Sequence, residues 1–355
     1  MSLFLDQTAP IGAADVLSFT QDQPIPSNNL LTQMFPRRDF DTDYVDFSTL
    51  KTTNRVLKFR NWDGAFAPVS RDSYDAKRTK MLPLGGFLEE GEWERRQIEH
   101  AATAGTNIAR IQAAVYNDLE NLTKYAFNRI ELAWGDVLSD GILTINENGV
   151  QQTLDFGIPA GQKVTPATLW SDHANSTPLT DLLTWLDVWG GPNGVPPGQF
   201  KTSLEVVRHL MQNEQLINAI KGEQMGVTWL SITEINNFLS GFGLPGFVVP
   251  DPPGTPGGSI YNSNFDVDGS TTRVIASNKL LFLPADTSTL GFTAWGTPTT
   301  AYELNSKNVQ VQTAPGVVGV LVREDNPPFR KHAYVDAVAL PILADTRKIL
   351  IATVA

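Results

Sequence analysis

Residues 241–246, GFGLPG, carry the G-x-G-x-x-G spacing of a dinucleotide loop. That chemistry needs a strand before the glycines and a helix after them, so that the helix N-terminus faces the pyrophosphate. Here a helical pattern precedes, a strand pattern follows, and Pro245 sits inside, so a helix end and a turn are expected. Asp39, Asp41 and Asp43 have the D-x-D-x-D start of a calcium loop. Tyr44 then stands where glycine must turn the chain, and Leu50 where a bidentate glutamate must close the site, so solvated carboxylates, or partners for a neighbour's basic groups, are expected. The four histidines, His100, His173, His209 and His332, are far apart in sequence, and none has a second ligand one helical turn away. His209 reads as half-buried packing. The acid pairs Glu89–Glu90 and Asp136–Asp140 could serve as glycosidase carboxylates, but solvated turns and helix faces account for them. There is no G-x-S-x-G and no P-loop. No catalytic residue, cofactor or metal is expected, and the chain does not read as an enzyme.

Composition narrows the class. With 355 residues the chain can bury a large core, and its formal charge is −11. A net negative surface is repelled by nucleic-acid phosphate, so free DNA binding is disfavoured, although such a surface could enclose DNA. There are no cysteines, which removes disulfides, thiolate nucleophiles and cysteine metal sites. The start, MSLFLDQTAP, lacks the basic and apolar regions of a secretory signal. Neither a membrane span nor removal of a long propeptide is expected.

The elements follow from periodicity. Residues 1–50 are thinly apolar and proline-punctuated; they predict an extended arm with a short helix near 12–18 that lies on something else. Residues 54–69 alternate as a strand. Ile108, Ile111, Val115, Leu119, Leu122, Ala126, Ile130, Trp134 and Val137 recur at spacings of three and four, which predicts one helix over 106–139 with an apolar stripe lying on a sheet. At 1.5 Å per residue it is a rod of roughly 50 Å. Asn148-Gly149 and Asp268-Gly269 mark hairpin turns. Three helices are expected within 177–241, one opening at Thr177-Pro178, one ending at Gly222, one starting in a capping box of Ser231 and Glu234. KLLFLP reads as a buried strand, residues 291–314 as irregular, and the tail from 315 as closing strands. The last of these, KILIATV, is apolar almost to the terminus.

RDSYDAKRTK, residues 71–80, has four basic and two acidic residues and lacks a core face. It fits the charged tip of an out-and-back excursion that is ordered by contact with another copy. Arm, excursion, very long helix, hairpin, mixed lobe and returning strands, in that order, resemble the major capsid proteins of tailed phages with the Hong Kong 97-type fold. The tail FRKHAYVDAVALPILADTRKILIATVA, residues 329–355, is similar to that of the phage lambda major head protein (capsid protein E) family. The resemblance implies an α+β fold: an N-terminal arm over 1–50; an E-loop hairpin and the start of the peripheral P domain over 51–105; a P-domain spine helix and hairpin over 106–159; an axial A domain over 160–314; and returning P-domain strands over 315–355. The last strand would then lie inside the P-domain sheet under the long helix.

The function implied is self-assembly into hexamers and pentamers of an icosahedral virion shell around double-stranded DNA, put together in the host cytoplasm. Scaffold, cement or decoration, and portal proteins are the implied partners. At the E-loop tip, Arg71, Asp72, Lys77, Arg78 and Lys80 would contact a neighbouring subunit, with Glu89, Glu90, Glu92 and Glu94 as partners. Some relatives weld the shell through a Lys–Asn isopeptide bond, and Lys77 or Lys80 lies in the corresponding region; the lambda-like branch does not rely on it. Two other readings are a tail or decoration subunit, which would be mostly β without so long a helix, and a soluble α/β enzyme, which would need a convergent polar constellation.

Overall fold

The computed structural model describes residues 13–51, 59, 73–91, 96, 108–222, 226–248, 258–306, 316–323 and 330–355. In the arm, helix α1 (Ala13–Gln21) and the short α2 (Leu30–Met34) precede β1 (Arg37–Asp39). A hairpin stem follows, β2 (Tyr44–Lys51) antiparallel to β3 (Ser73–Lys80), and then β4 (Leu82–Glu90). The strand expected at 54–69 lies outside the described residues apart from Phe59.

Helix α3 spans Ile108–Asp140. Leu119, Leu122, Ala126, Ile130, Trp134 and Val137 are all buried, as the stripe requires. Gly141 ends the helix at φ +80°, its N–H bonded to Val137 O at 2.8 Å. A Cβ there would also lie 2.4 Å from Ile158 Cδ1, so both backbone and packing demand glycine. The hairpin β5 (Ile142–Glu147) and β6 (Val150–Asp155) turns at Asn148 and Gly149, with φ of 48° and 80°. These are the positive angles of a type I′ turn.

The sheet beneath α3 is built on β14 (Lys331–Leu343). β4 pairs along one side of it, from Lys331↔Glu90 to Ala339↔Leu82. The other side is shared end to end by β13 (Val317–Arg323) and β12 (Gly291–Gly296), all antiparallel to β14. β1 adds in parallel outside β12. Small residues on alternate positions of β14, Ala333, Val335, Ala337 and Ala339, share one core with the α3 stripe, which lets the helix lie close to the strand. α1 packs on β13, where the Gly319 N–H donates to Thr20 Oγ1 at 3.2 Å.

A second sheet has the order β7 (Lys163–Val164), β15 (Leu350–Thr353), β11 (Lys279–Leu283), β8 (Gln199–Thr202). Around it lie α4 (Pro178–Asn193), α5 (Leu204–Gln212), α6 (Glu214–Lys221) and α7 (Ile232–Ser240). An exposed hairpin, β9 (Asn264–Val267) and β10 (Ser270–Arg273), turns at Asp268-Gly269, and α8 (Thr299–Ser306) follows β12. The Ser231–Glu234 capping box forms.

Several expectations are corrected. The last strand does not lie in the sheet under α3. β15 pairs with β11 on one side and β7 on the other. It is apolar because it is central: Leu350, Ala352 and Val354 enter the core of the second lobe, while Ile349 and Ile351 enter that of α3. Residues 291–296 are not irregular but a wholly buried strand, β12, in the sheet of β14. The two sheets therefore do not divide at residues 314 and 315. The middle helix of the lobe is two. Asn213 caps the end of α5 and the start of α6, its Oδ1 accepting from Leu216 N at 3.1 Å and its Nδ2 donating to Ser176 Oγ at 2.9 Å. An asparagine side chain that replaces backbone partners in this way turns the chain between two helices.

Candidate assembly surfaces and the buried joint

Of the charged residues singled out in the sequence, Arg71, Asp72, Glu92 and Glu94 lie outside the described residues. Lys77, Arg78 and Lys80 lie on β3, in the stem of the hairpin rather than at a tip. Lys77 is committed to its own chain: its Nζ donates to Asp155 O, 2.7 Å away at the end of β6. Gln152 Nε2 reaches Thr79 Oγ1 at 3.1 Å, so the hairpin of β5 and β6 props the stem. Arg78 pairs with Asp46 across the stem at 3.4 Å and lies over the Tyr44 ring at 4.6 Å; both acid and base are well exposed, so the pair contributes ~0–1 kcal/mol. Lys80 is exposed. Glu89 meets Arg330 at 2.6 Å, and Glu90 takes the register position opposite Lys331. The expected basic and acidic groups do not meet one another within the described chain.

Two surfaces flank this stem. A groove of about 360 Å³ runs between α3 and the hairpin of β5 and β6, floored by β4 and β14; Leu84, Leu122, Tyr125, Ala126, Ile145 and Val150 are among its walls. The Arg129–Glu147 pair, 2.8 Å, belongs to its rim. Elsewhere on the β4–β14 sheet, Phe87 is 55 % exposed and lies 5.4 Å from Tyr334 and 5.7 Å from His332, centroid to centroid. Phe59, the described residue nearest the far end of the hairpin, is fully exposed.

The joint between arm, long helix and second lobe carries buried charge. Glu131 on α3 is fully buried. Its Oε1 accepts from Leu31 N at 2.8 Å and from the Tyr261 hydroxyl; its Oε2 accepts from Thr32 N at 2.7 Å and Thr32 Oγ1 at 2.6 Å. Burial pushes this carboxyl above its ordinary range, against the pull of those four hydrogen bonds. Lys201 on β8 is also fully buried, bonds the Gly258 carbonyl, and is pushed down to about 8 by burial, with Glu131 pulling the other way. Burial and the neighbouring Glu131 push the Tyr261 phenol up. In the sequence Ile130 and Trp134 read as stripe positions and Glu131 between them does not, because a carboxylate on a helix is ordinarily solvated. The signal was there: 127, 131, 134 and 138 are spaced four, three and four, and all are buried.

Among the described residues no group of three or more His, Asp or Glu side chains is placed to hold a metal, and no helix is long and apolar enough to cross a membrane. Asp39, from the calcium-like run, pairs with Arg37 at 2.6 Å. GFGLPG follows α7 as a helix end and turn, with Gly243 at φ +72°.

No curated protein sequence matches this one. Among solved structures, the chain is similar to a prophage capsid protein from Escherichia coli CFT073, at 15% identity and a TM-score of 0.60, covering 95% of this chain and 97% of that one. It is also similar to a phage-related protein from Bordetella bronchiseptica RB50, at 11% identity and a TM-score of 0.55, with 94% of each chain covered. The fold is the Hong Kong 97-type capsid fold. The family described as phage major capsid protein E matches residues 13–354. That span takes in the arm helices, the long helix, both sheets and the final strand, so the chain belongs to the phage major capsid protein E family and is a shell-forming head protein of the virion.

Proposed function

We propose that copies of this chain form the hexamers and pentamers of an icosahedral shell around double-stranded DNA, and that the β2–β3 hairpin of each copy lies over the neighbouring subunit. The observation that carries this is the hairpin itself: its stem is braced by β6, while Phe59 beyond it buries nothing against its own chain. Arg71, Asp72 and Lys80 are the residues offered to the neighbour, with Arg78 able to exchange its exposed partner Asp46. Glu90, Glu92 and Glu94 are the receiving acids, with Glu89 able to exchange its half-exposed partner Arg330. Lys77 is left out, since its ammonium is bonded to Asp155 O. Each exposed pair contributes ~0–1 kcal/mol, but a subunit held at several sites gains by effective concentration. The net charge of −11 suits enclosure of DNA without sequence-specific binding. Assembly in the host cytoplasm, with scaffold, portal and decoration proteins, completes the reading.

A chain without cysteines makes the test direct. Lys80→Cys and Glu89→Cys are introduced singly and together, and particles are oxidised. Within β4 alone, Leu82 to Glu89 spans about 23 Å at 3.3 Å per residue, and Lys80 lies only two residues before Leu82, which keeps the positions too far apart for a bond within one chain. The double variant, or particles mixed from the two single variants, are expected to give covalent oligomers. Particles that assemble normally but yield only monomers would overturn this placement of the hairpin.

A further inference from the structure

Two histidines distant in sequence meet in the second lobe. His173, in the loop of residues 170–176, places Nε2 2.9 Å from Nδ1 of His209 on α5. The ring centroids are 5.2 Å apart. Two ring radii and the nitrogen gap together span that separation, so the line between centres runs through both nitrogens and their lone pairs face each other. That is the geometry of an N–H···N hydrogen bond. A chelate would need both lone pairs to converge on a third point.

Such a bond holds one proton between two nitrogens. It forms with both rings neutral, or with one cationic, and fails when every ring nitrogen carries a proton. The charged groups around it are Asp172, beside His173; Glu205, one turn before His209 on α5; and Glu214 at the start of α6, whose backbone N–H donates to His173 O at 2.9 Å. Burial first, and then the facing His173, hold His209 below the ordinary imidazole value, with Glu205 opposing them.

We propose that the His173–His209 pair is an acid-operated catch, tying the surface loop of residues 170–176 to α5 at neutral pH and letting it go when both rings are protonated. The release is local. His173 O keeps its bonds from Glu214 N and Asn213 Nδ2, and Ser176 keeps those to Asn213. The loop loosens while the α5–α6 corner stays anchored. The sign follows from His209: its folded value is depressed, so the unfolded chain takes up protons first as pH falls. The contribution is present above pH 6.5 and is lost as pH drops through the depressed folded value.

Hydrogen exchange of the full-length protein at pH 7.5 and 5.0, corrected for intrinsic rates, tests this on wild type, His173→Gln and His209→Gln. In wild type, opening of the 170–176 segment is expected to rise roughly two- to tenfold at pH 5.0, as for the loss of one hydrogen bond, with β11 unchanged. Both glutamine variants, which donate and accept without titrating in this range, should show no such rise. Wild-type protection that is equal at the two pH values would overturn the proposal. So would an acid response that persists in the variants, since Asp172 or Glu205 would then be responsible. Zinc-dependent protection at pH 7.5 that both variants lose would assign the pair to a metal and overturn it as well.

Discussion

Glu131 shows how one side chain can join three parts of a chain. Its two oxygens accept from Leu31 and Thr32 of α2 in the arm and from Tyr261. Deleting it strands the Leu31 and Thr32 N–H groups and leaves Lys201 as a buried cation without the carboxylate that opposes its desolvation. Glu131→Ala should therefore cost about 3–5 kcal/mol, read by denaturant unfolding of unassembled subunits; a loss below 1 kcal/mol would mean that water replaces the carboxylate. The pH dependence has a definite sign. Lys201 is depressed from 10.5 to about 8 in the folded state, so between these values the unfolded chain binds more protons and stability rises with pH. Wild type should gain up to about 3 kcal/mol relative to Lys201→Met from pH 8 to 10.5. A flat difference would place the lysine in contact with water. In acid, Glu131 acts the other way: its raised folded value makes its contribution grow as pH falls through that value toward 4.5.

Elements were legible where local chemistry decides them. The α3 stripe from Leu119 to Val137, the Asn148-Gly149 and Asp268-Gly269 turns and the Ser231–Glu234 box all involve residues within a few positions of one another, and all form as read, while the side chains of Ile108, Ile111 and Val115 lie outside the described residues. What was missed depends on distant partners. GFTAWG gave no strand pattern because every residue of β12 is buried on both faces, so no alternation exists to see. The sheet that receives β15 cannot be inferred from KILIATV, since an apolar run suits either one. The His173–His209 pair and the Glu131–Tyr261 contact join positions 36 and 130 residues apart, and neither side chain carries a local sign of its mate. The glycines test the same division. Gly149, φ +80° with nothing within 4 Å of a built Cβ, should lose only about 1 kcal/mol on substitution by alanine. Gly141 has the same φ and also collides with Ile158, so Gly141→Ala should cost about 2–4 kcal/mol. Equal losses at the two positions would show that Ile158 moves aside freely.

At the scale of the molecule, the final strand belongs to both lobes at once, which predicts that they unfold as one cooperative body. β15 lies between β7 and β11, and its side chains alternate between two cores: Leu350 belongs to the core of the second lobe, with Trp170, Trp185 and Trp189, while Ile351 belongs to the core of α3. The Glu131 cluster ties the same two regions a second time, through Tyr261, whose hydroxyl donates to Glu131 and whose backbone N–H donates to Thr202 O on β8. For a shell subunit this matters because a body that yields at a lobe boundary would not transmit load between its contacts with other copies. Leu350→Ala and Ile351→Ala should each cost about 2–5 kcal/mol, the usual range for emptying a filled core site. Both should displace a single unfolding transition of the free subunit, monitored by tryptophan fluorescence and by far-ultraviolet circular dichroism together. If the lobes were independent, each substitution would move a different transition and the two probes would part. Two separate midpoints, one shifted by each variant, would mean that β15 is shared in geometry but not in stability.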